Sequence, residues 1–260
     1  SDVCSSDLCL WFKPGQLIVA SFVDDNVYSF KDKKVLDEFV ADLRKEGLVL
    51  TVETSLSEYL GIQIERDDKA GTIKLTQPGL TEKVLASANM SDCSTSKTPA
   101  KLGCLGIDPD GEPWNEPWQA SSINGMLLFL AGNTRPDIQF AVSQTCRFNH
   151  SPKKSHGTAI KHILRYLKGT PGVGMLVKKA KDLKVDFYVD ADFSGYWKAD
   201  PDSEPSSAKS RMGYVMFLGN FALLWKSKLI DCICLSTSES EYSSLSCCLR
   251  DYIPVQRVIL

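Results

Sequence analysis

The stretch at residues 17–30 reads LIVASFVDDNVYSF and decides the fold of the first part of the chain. Its apolar run, bounded by Gly15 and Asp24, predicts a buried strand. The acidic pair Asp24-Asp25 followed by Asn26 predicts a turn into a second strand, so the whole stretch is typical of a hairpin. Carboxylates at such a turn can share divalent cations, whereas an acidic dipeptide by itself is more often a solvated turn.

Local patterns on the C-terminal side of this hairpin predict a helix, a second hairpin and a short helix. Asp32 is suited to cap a helix whose apolar positions recur with a 3.6-residue period, and Gly47 is suited to end it. Alternating residues at 59–65 and 72–77 flank a polar turn and predict the second hairpin. Residues 80–88 predict the short helix.

The remainder of the chain changes pattern twice. Residues 91–118 are rich in proline, glycine and polar residues, which is typical of a linker or long surface loop. Helical periodicity resumes at Ser121, begins again at Thr134-Arg135-Pro136-Asp137 with a cap and an early proline, and returns at residues 156–168. From Lys184 the period becomes two, and three strands followed by a helix near Ser236 are predicted.

Composition excludes several classes of protein. Hydrophobic residues make up 43% and charged residues 24%, as in globular chains and unlike disordered ones. No apolar run reaches the roughly 18 residues of a membrane span, and the N-terminus lacks a secretory pattern. The nine cysteines form no CxxC pair, which disfavours a zinc module or a disulfide scaffold. His150, His156 and His162 are six residues apart and do not share one helix face, which argues against a histidine metal site.

Positive charge is concentrated in one segment. Residues 152–185 contain nine lysines and arginines against Asp182, a net charge of +8, in a chain whose net charge is −2. Such a concentration predicts a site for a polyanion, with a solvated lysine-rich face as the alternative. The candidate nucleic-acid-binding residues of this segment are Lys153, Lys154, Lys161, Arg165 and Lys168.

Four ordered motifs resemble those of one family. Phe22-Val23-Asp24-Asp25 resembles the aromatic-x-Asp-Asp motif of reverse transcriptases, in the form used by copia-type retrotransposons. Tyr59-Leu60-Gly61-Ile62 is similar to the family's primer-grip hairpin, and residues 134–138 and 165–170 are similar to its thumb and connection motifs. The resemblance implies that Asp24 and Asp25 are catalytic metal ligands, and that Tyr59, Leu60 and Gly61 contact nucleic acid.

The last segment resembles the ribonuclease H domain of the same elements. By this resemblance Asp190 matches the first catalytic aspartate, whereas the role of Asp192 stays open. Two acids compete on the following helix. Glu241 shares a stripe with Leu245, Cys248 and Leu249, which predicts that it faces the sheet and binds metal, while Glu239 is predicted to cap the helix.

The implied fold class is α+β and α/β, with a partial reverse transcriptase palm, a helical thumb or connection, and a truncated RNase H-like β-β-β-α unit. The expected boundaries are a non-native leader at 1–9, the palm at 10–90, a linker at 91–120, the thumb or connection at 121–183, and the RNase H-like domain at 184–260. Both active sites are expected to be incomplete, so the chain by itself is expected to be inactive.

The function implied is RNA-directed DNA polymerisation and ribonuclease H cleavage by a retrotransposon polyprotein. The expected cofactor is Mg²⁺ or Mn²⁺, and the expected partners are an RNA template, a DNA primer, an RNA–DNA hybrid and deoxynucleotides. The expected location is a cytoplasmic virus-like particle or the nucleus. The alternatives are a non-catalytic nucleic-acid-binding remnant and a free-standing RNase H-like nuclease. The nuclease is disfavoured because it would leave Asp24-Asp25 and the Tyr59 hairpin without a role.

Overall fold

The computed structural model describes residues 9–13, 15–53, 55–101, 103–180, 182, 184–195, 197 and 205–259. The predicted leader at 1–9 lies, except for Cys9, outside the described residues, as does Lys181 of the basic segment. The chain divides into two compact units. The first unit falls within Ser1–Ser55 and Leu249–Leu260, and the second is Leu56–Cys248.

The first unit contains the hairpin that the opening stretch predicts. Strands β1 (Leu10–Lys13), β2 (Leu17–Phe22) and β3 (Asp25–Phe30) form an antiparallel sheet in the order β1-β2-β3. Phe22 pairs with Asp25, so the β2–β3 turn consists of Val23 and Asp24. The predicted hairpin is confirmed, but its turn begins one residue earlier than expected, since Asp25 and Asn26 belong to β3.

Helix α1 (Lys33–Lys45) follows the hairpin and has both predicted ends. The Asp32 carboxylate accepts a hydrogen bond from the Lys34 amide at 3.0 Å, which satisfies one of the unpaired N–H groups at the helix start. At the other end Gly47 has φ +89° and the Leu48 amide donates to the Leu43 carbonyl, a Schellman motif. The core of this unit is formed by Leu17, Val19, Leu36 and Val40.

The second unit begins with a four-stranded antiparallel sheet. Its strands are β4 (Glu58–Tyr59), β5 (Ile62–Asp67), β6 (Thr72–Thr76) and, from much later in the chain, β7 (Met175–Lys178), in the order β4-β5-β6-β7. The β5–β6 hairpin is confirmed, whereas β7 was not predicted from the sequence. Helix α2 (Pro78–Ser87) follows β6 as expected.

The largest core of the second unit is helical. Helices α3 (Ala120–Asn133), α4 (Gln139–Cys146) and α5 (Lys154–Gly169) pack with α2 around fully buried leucines, isoleucines and valines. Residues 91–119 contain no helix or strand within their described positions, but Trp118 is buried in this core. This segment therefore packs along the helices.

The part of the chain that follows β7 has the predicted order of three strands and a helix. Strands β8 (Val185–Asp192), β9 (Arg211–Leu218) and β10 (Phe221–Leu229) form an antiparallel sheet with β9 in the centre, and α6 (Thr237–Ile259) follows. Trp225 Nε1 donates to the Ala131 carbonyl at 2.7 Å, which joins this sheet to α3.

Candidate functional site

The Asp24-Asp25 turn is presented to solvent on a strained hairpin. Val23 has φ +56°, and a β-branched residue in that region is an outlier that costs about 1–3 kcal/mol. Asn26 braces the turn, since its amide donates to the Asp24 carbonyl at 3.5 Å and accepts from the Ser21 hydroxyl. The side chains of Asp24 and Asp25 are both exposed. Strain of this kind is often stored at functional sites.

The donor chemistry of this turn fits a hard divalent cation. Two adjacent carboxylates supply the oxygen ligands that Mg²⁺ prefers, and this ion keeps most of its waters or substrate phosphates as further ligands. Throughout the described part of the chain, no group of three or more His, Cys, Asp or Glu side chains is arranged to hold a metal ion. The turn by itself therefore offers part of a coordination shell.

The Tyr59-Leu60-Gly61-Ile62 stretch forms a tight two-residue turn between β4 and β5. Tyr59 pairs with Ile62, and Leu60 and Gly61 have φ of +50° and +74°. Two positive φ values match the turn that best follows the twist of a hairpin. Tyr59 is half-buried, whereas Leu60 and Gly61 are exposed.

The two motifs predicted for the thumb and connection bind each other. The Arg135 guanidinium, 2% exposed, forms an ion pair with Asp137 at 2.8 Å. It also donates to the Thr170 carbonyl at 3.1 Å and to the Thr170 hydroxyl at 2.7 Å. The Tyr166 hydroxyl donates to Asp137 at 2.7 Å, and the guanidinium lies over the Tyr166 ring. These residues therefore join the α3–α4 turn to the end of α5.

This network changes the acidity of its members. Burial raises the pKa of Asp137, but hydrogen bonds from Arg135 and Tyr166 outweigh it and hold the pKa of this carboxyl below its ordinary value. Burial and the hydrogen bond to Asp137 raise the pKa of the Tyr166 hydroxyl. The cluster is therefore an ionised carboxylate paired with a buried cation at neutral pH.

The basic residues of α5 do not form an open patch. Lys154 pairs with Glu112 and Lys161 with Glu116, each at 2.6 Å. The Lys153 ammonium lies 3.5 Å from the carbonyls of Pro109 and Gly111. Arg165 is half-buried and Lys168 is exposed. The count of local charge missed these acids, although residues 108–118 carry four acids and no base in the sequence.

Both ring nitrogens of His156 have partners within the protein. Its Nδ1 accepts from the Lys153 amide and its Nε2 donates to the Gly106 carbonyl, both at 2.9 Å. The ring stacks on Phe148 with a centroid distance of 4.0 Å. Burial lowers the pKa of His156, so the neutral form with the proton on Nε2 fits these contacts.

The last segment carries two predicted metal ligands, Asp190 on a strand as expected and Glu241 on the following helix. Asp190 is exposed on β8, an edge strand, opposite Gly213 of β9. Glu241 is exposed as well, so the prediction that it faces the sheet is wrong. The buried stripe of α6 lies one residue earlier and consists of Ser240, Ser244 and Cys248. Small side chains permit close packing there, which a pattern built on Leu245 and Leu249 could not reveal.

The predicted cap of α6 is confirmed. Glu239 accepts a hydrogen bond from the Leu235 amide at 2.6 Å, and its own amide donates to the Ser236 hydroxyl at 3.1 Å. The two contacts satisfy N–H groups at the helix start, as a capping box does. Glu239 is therefore engaged structurally, and Glu241 stays a predicted ligand.

Comparison with known proteins gives a consistent assignment. The family model described as reverse transcriptase (RNA-dependent DNA polymerase) matches residues 3–102. The chain is 32% identical over 249 residues to the retrovirus-related Pol polyprotein from transposon TNT 1-94 of Nicotiana tabacum, covering 91% of this chain and 18% of the polyprotein. It is 31% identical to the Pol polyprotein from transposon RE2 of Arabidopsis thaliana, covering 86% and 15%.

A shorter relative is an uncharacterized mitochondrial protein of Arabidopsis thaliana, 32% identical over 188 residues, 72% of this chain and 73% of that protein. The chain spans less than a fifth of the two Pol polyproteins. No solved structure matches it significantly. Among the helices with described residues, none combines the length and apolarity needed to cross a membrane. The expected resemblance is confirmed, and the chain belongs to the reverse transcriptase family of copia-type retrotransposon Pol polyproteins.

Proposed function

We propose that this chain contributes the Asp24-Asp25 metal ligands of an RNA-directed DNA polymerase. The observation that carries the proposal is the strained hairpin at Val23, which presents two adjacent carboxylates to solvent. A β-branched residue with positive φ is costly, and a turn chosen for stability alone would favour glycine or asparagine there. The family match over residues 3–102 supports the proposal, because it includes this hairpin.

The chain's own residues have simple roles in this proposal. Asp24 and Asp25 would hold Mg²⁺ or Mn²⁺ through their carboxylate oxygens, and deoxynucleotides would be the substrates. Divalent cations bound there would activate the primer hydroxyl and stabilise the leaving pyrophosphate. The turn at Tyr59, Leu60 and Gly61 contacts the primer strand. Residues 121–183 act as thumb or connection. The basic side chains of α5 lie near the phosphates of the RNA template and DNA primer.

The test is primer extension by the polyprotein reading frame that carries this chain. Asp24→Asn should abolish extension, because the amide removes a charged ligand, and Asp25→Asn should impair it. The free energy of unfolding should change by no more than about 0.5 kcal/mol, as for an exposed turn residue. Asp68→Asn, an exposed acid in the β5–β6 turn, is the matched control and should retain extension. Full extension by Asp24→Asn would contradict the proposal.

A second activity, cleavage of the RNA strand of an RNA–DNA hybrid, is supported by the strand-strand-strand-helix order of β8, β9, β10 and α6. We propose Asp190 and Glu241 as its metal ligands in this chain. Both are exposed, and the capping contacts of Glu239 leave Glu241 as the other acid near the start of α6.

Hybrid cleavage by the same polyprotein tests this assignment. Asp190→Asn and Glu241→Gln should each abolish magnesium-dependent cleavage. Glu239→Gln should preserve cleavage and most of the cap, because a glutamine oxygen can also accept from the Leu235 amide, and should weaken the start of α6 by no more than about 1 kcal/mol through the lost charge. Cleavage lost with Glu239→Gln and kept with Glu241→Gln would reverse the two roles. A polyprotein that binds the hybrid but shows neither activity would favour the non-catalytic remnant.

A further inference from the structure

An acidic segment crosses the basic helix α5. Residues 108–118, called the acidic strap below, read DPDGEPWNEPW and contain four acids, no base and three prolines. Prolines restrict the unfolded segment and so reduce the entropy lost when it is ordered. Their presence is consistent with a segment that holds one position on the helix.

The acidic strap contacts the N-terminal half of α5 through both backbone and side chains. The Lys154 amide donates to the Glu112 carbonyl at 3.0 Å, and Pro113 and Lys153 form an isolated antiparallel bridge. The ion pairs Lys154–Glu112 and Lys161–Glu116 lie seven residues apart on α5, which is two turns along one face. The strap therefore follows the basic face of the helix.

Gly157, between these two lysines, permits the close approach. A Cβ atom at Gly157 would lie 3.2 Å from the Trp114 ring and 3.5 Å from the Glu116 side chain. Glycine inside a helix costs about 1 kcal/mol of stability relative to alanine. The close contact with the strap explains why a glycine stands at position 157 despite this cost. Trp114 packs edge-to-face against Trp118, with 4.9 Å between the ring centroids. The Trp114 Nε1 also donates a hydrogen bond to the Trp118 carbonyl.

The two ion pairs differ in strength. Lys154 and Glu112 are 50% and 69% exposed, a surface pair that solvent screens strongly. Lys161 and Glu116 are 32% and 14% exposed, so this pair is held more firmly. Beyond the strap, the Arg165 Nε is buried and has no hydrogen-bond partner among the residues described. Lys168, in the last turn of α5, is exposed.

We propose that the acidic strap is an intramolecular competitor of nucleic acid for the lysines of α5. Its carboxylates take the positions that phosphate oxygens would need on Lys154 and Lys161, so that among the described cations of α5 Lys168 is exposed and has no acid of the strap beside it. The inference rests on the proposed function in one respect, the use of α5 to contact nucleic acid. It adds that this contact is weakened by the chain itself.

The experiment measures binding of an RNA–DNA hybrid to the intact 260-residue chain by fluorescence anisotropy at several salt concentrations. The variant Glu112→Gln/Glu116→Gln keeps the shape of the strap and removes both charges. Each phosphate contact contributes about −0.9 to the slope of log affinity against log salt on B-form DNA, so with this value for the duplex, freeing two lysines should steepen the slope by about 1.8. Between about 50 and about 200 mM salt, this change corresponds to an additional loss of affinity of about twelvefold.

Two further proteins make the outcome decisive. Glu112→Gln alone removes only the exposed pair, avoids disturbing the half-buried Glu116, and should steepen the slope by about 0.9. Asp37→Asn/Glu38→Gln changes the net charge equally at two exposed acids of α1 and should leave the slope unchanged. An equal change of slope in this control would show a general effect of net charge. It would overturn the proposal that the strap competes with nucleic acid.

The results separate the strap from the proposed function. Salt-dependent binding by the unaltered chain with no change of slope in either strap variant overturns the strap and leaves the nucleic-acid contact intact. Binding gained only in the strap variants supports the strap. Absence of binding by all the proteins overturns both the strap and the proposed contact of α5, whereas the role of Asp24 is judged separately by primer extension.

Discussion

Arg135 is a buried cation, so its charge and its N–H groups need partners within the protein. A buried guanidinium is tolerated only when its charge is paired and its N–H groups are satisfied. Asp137 supplies the charge, and Thr170 supplies two further acceptors from 35 residues later. The motifs around Arg135 and Tyr166 therefore act as structural partners within the second unit.

Removing the charge of Asp137 should destabilise the second unit. Asp137→Asn leaves the Arg135 guanidinium buried with a neutral partner, a change that typically costs about 3–5 kcal/mol. Urea denaturation followed by circular dichroism measures the loss. Tyr166→Phe removes only one hydrogen bond to the same carboxylate and should cost about 1 kcal/mol. Equal, small losses in both variants would contradict the importance of the ion pair.

The same pair predicts a pH dependence. The pKa of Asp137 is lower in the folded chain than in the unfolded chain, where it is about 3.9. Its contribution to stability is therefore present above pH 3.9 or so and is lost as the pH falls through the lowered folded value. The Asp137→Asn variant should show a smaller fall in the free energy of unfolding over this acid range than the unaltered chain.

Residue-level predictions from sequence were reliable where the interaction is local. Asp32, Gly47 and Glu239 cap their helices as expected, because a cap depends on residues within four positions of the helix end. The face assigned to Glu241 was wrong, because burial on α6 follows Ser240 and Ser244 rather than the leucines. That choice depends on what packs against the helix.

At the scale of elements, β7 forms one edge of the four-stranded sheet that carries the Tyr59 turn. It joins β6 after the whole helical core has intervened in the chain, with Met175 opposite Leu75. Gly174 precedes it at a point where a Cβ atom would lie 2.2 Å from the Leu75 carbonyl oxygen. The backbone at these two residues cannot move apart to relieve such an overlap without separating the two strands. Glycine is therefore required where β7 enters the sheet.

Gly174→Ala should weaken the β6–β7 pairing and destabilise the protein by about 1–3 kcal/mol, the usual cost of overpacking. Gly172→Ala is the matched control, because a Cβ atom there has nothing within 4 Å, and its effect should stay within about 0.5 kcal/mol. Hydrogen exchange of the β6 and β7 amides provides a local measurement. Unchanged protection in Gly174→Ala would mean that the sheet tolerates the added methyl group.

For the molecule as a whole, charge is arranged by tertiary contacts rather than by position in the chain. The +8 segment suggests an open polyanion site when the sequence is counted alone. In the folded second unit, Lys154 and Lys161 are paired with acids from the acidic strap, about 40 residues earlier. Net charge in a sequence window therefore overestimated the charge that a partner would meet.

The sequence by itself determined the two strands of the opening hairpin and the helix α1. It also determined the β-β-β-α order of the last segment and the family. These features follow from hydrophobic periodicity, turn residues and short ordered motifs, all of which are local. Only the tertiary structure decided the pairing of β7 with β6, the binding of Arg135 to Thr170, the buried face of α6, and the position of the strap on α5. Each joins residues distant in the chain or depends on a packing partner, and a pattern read along one segment contains no information about that partner.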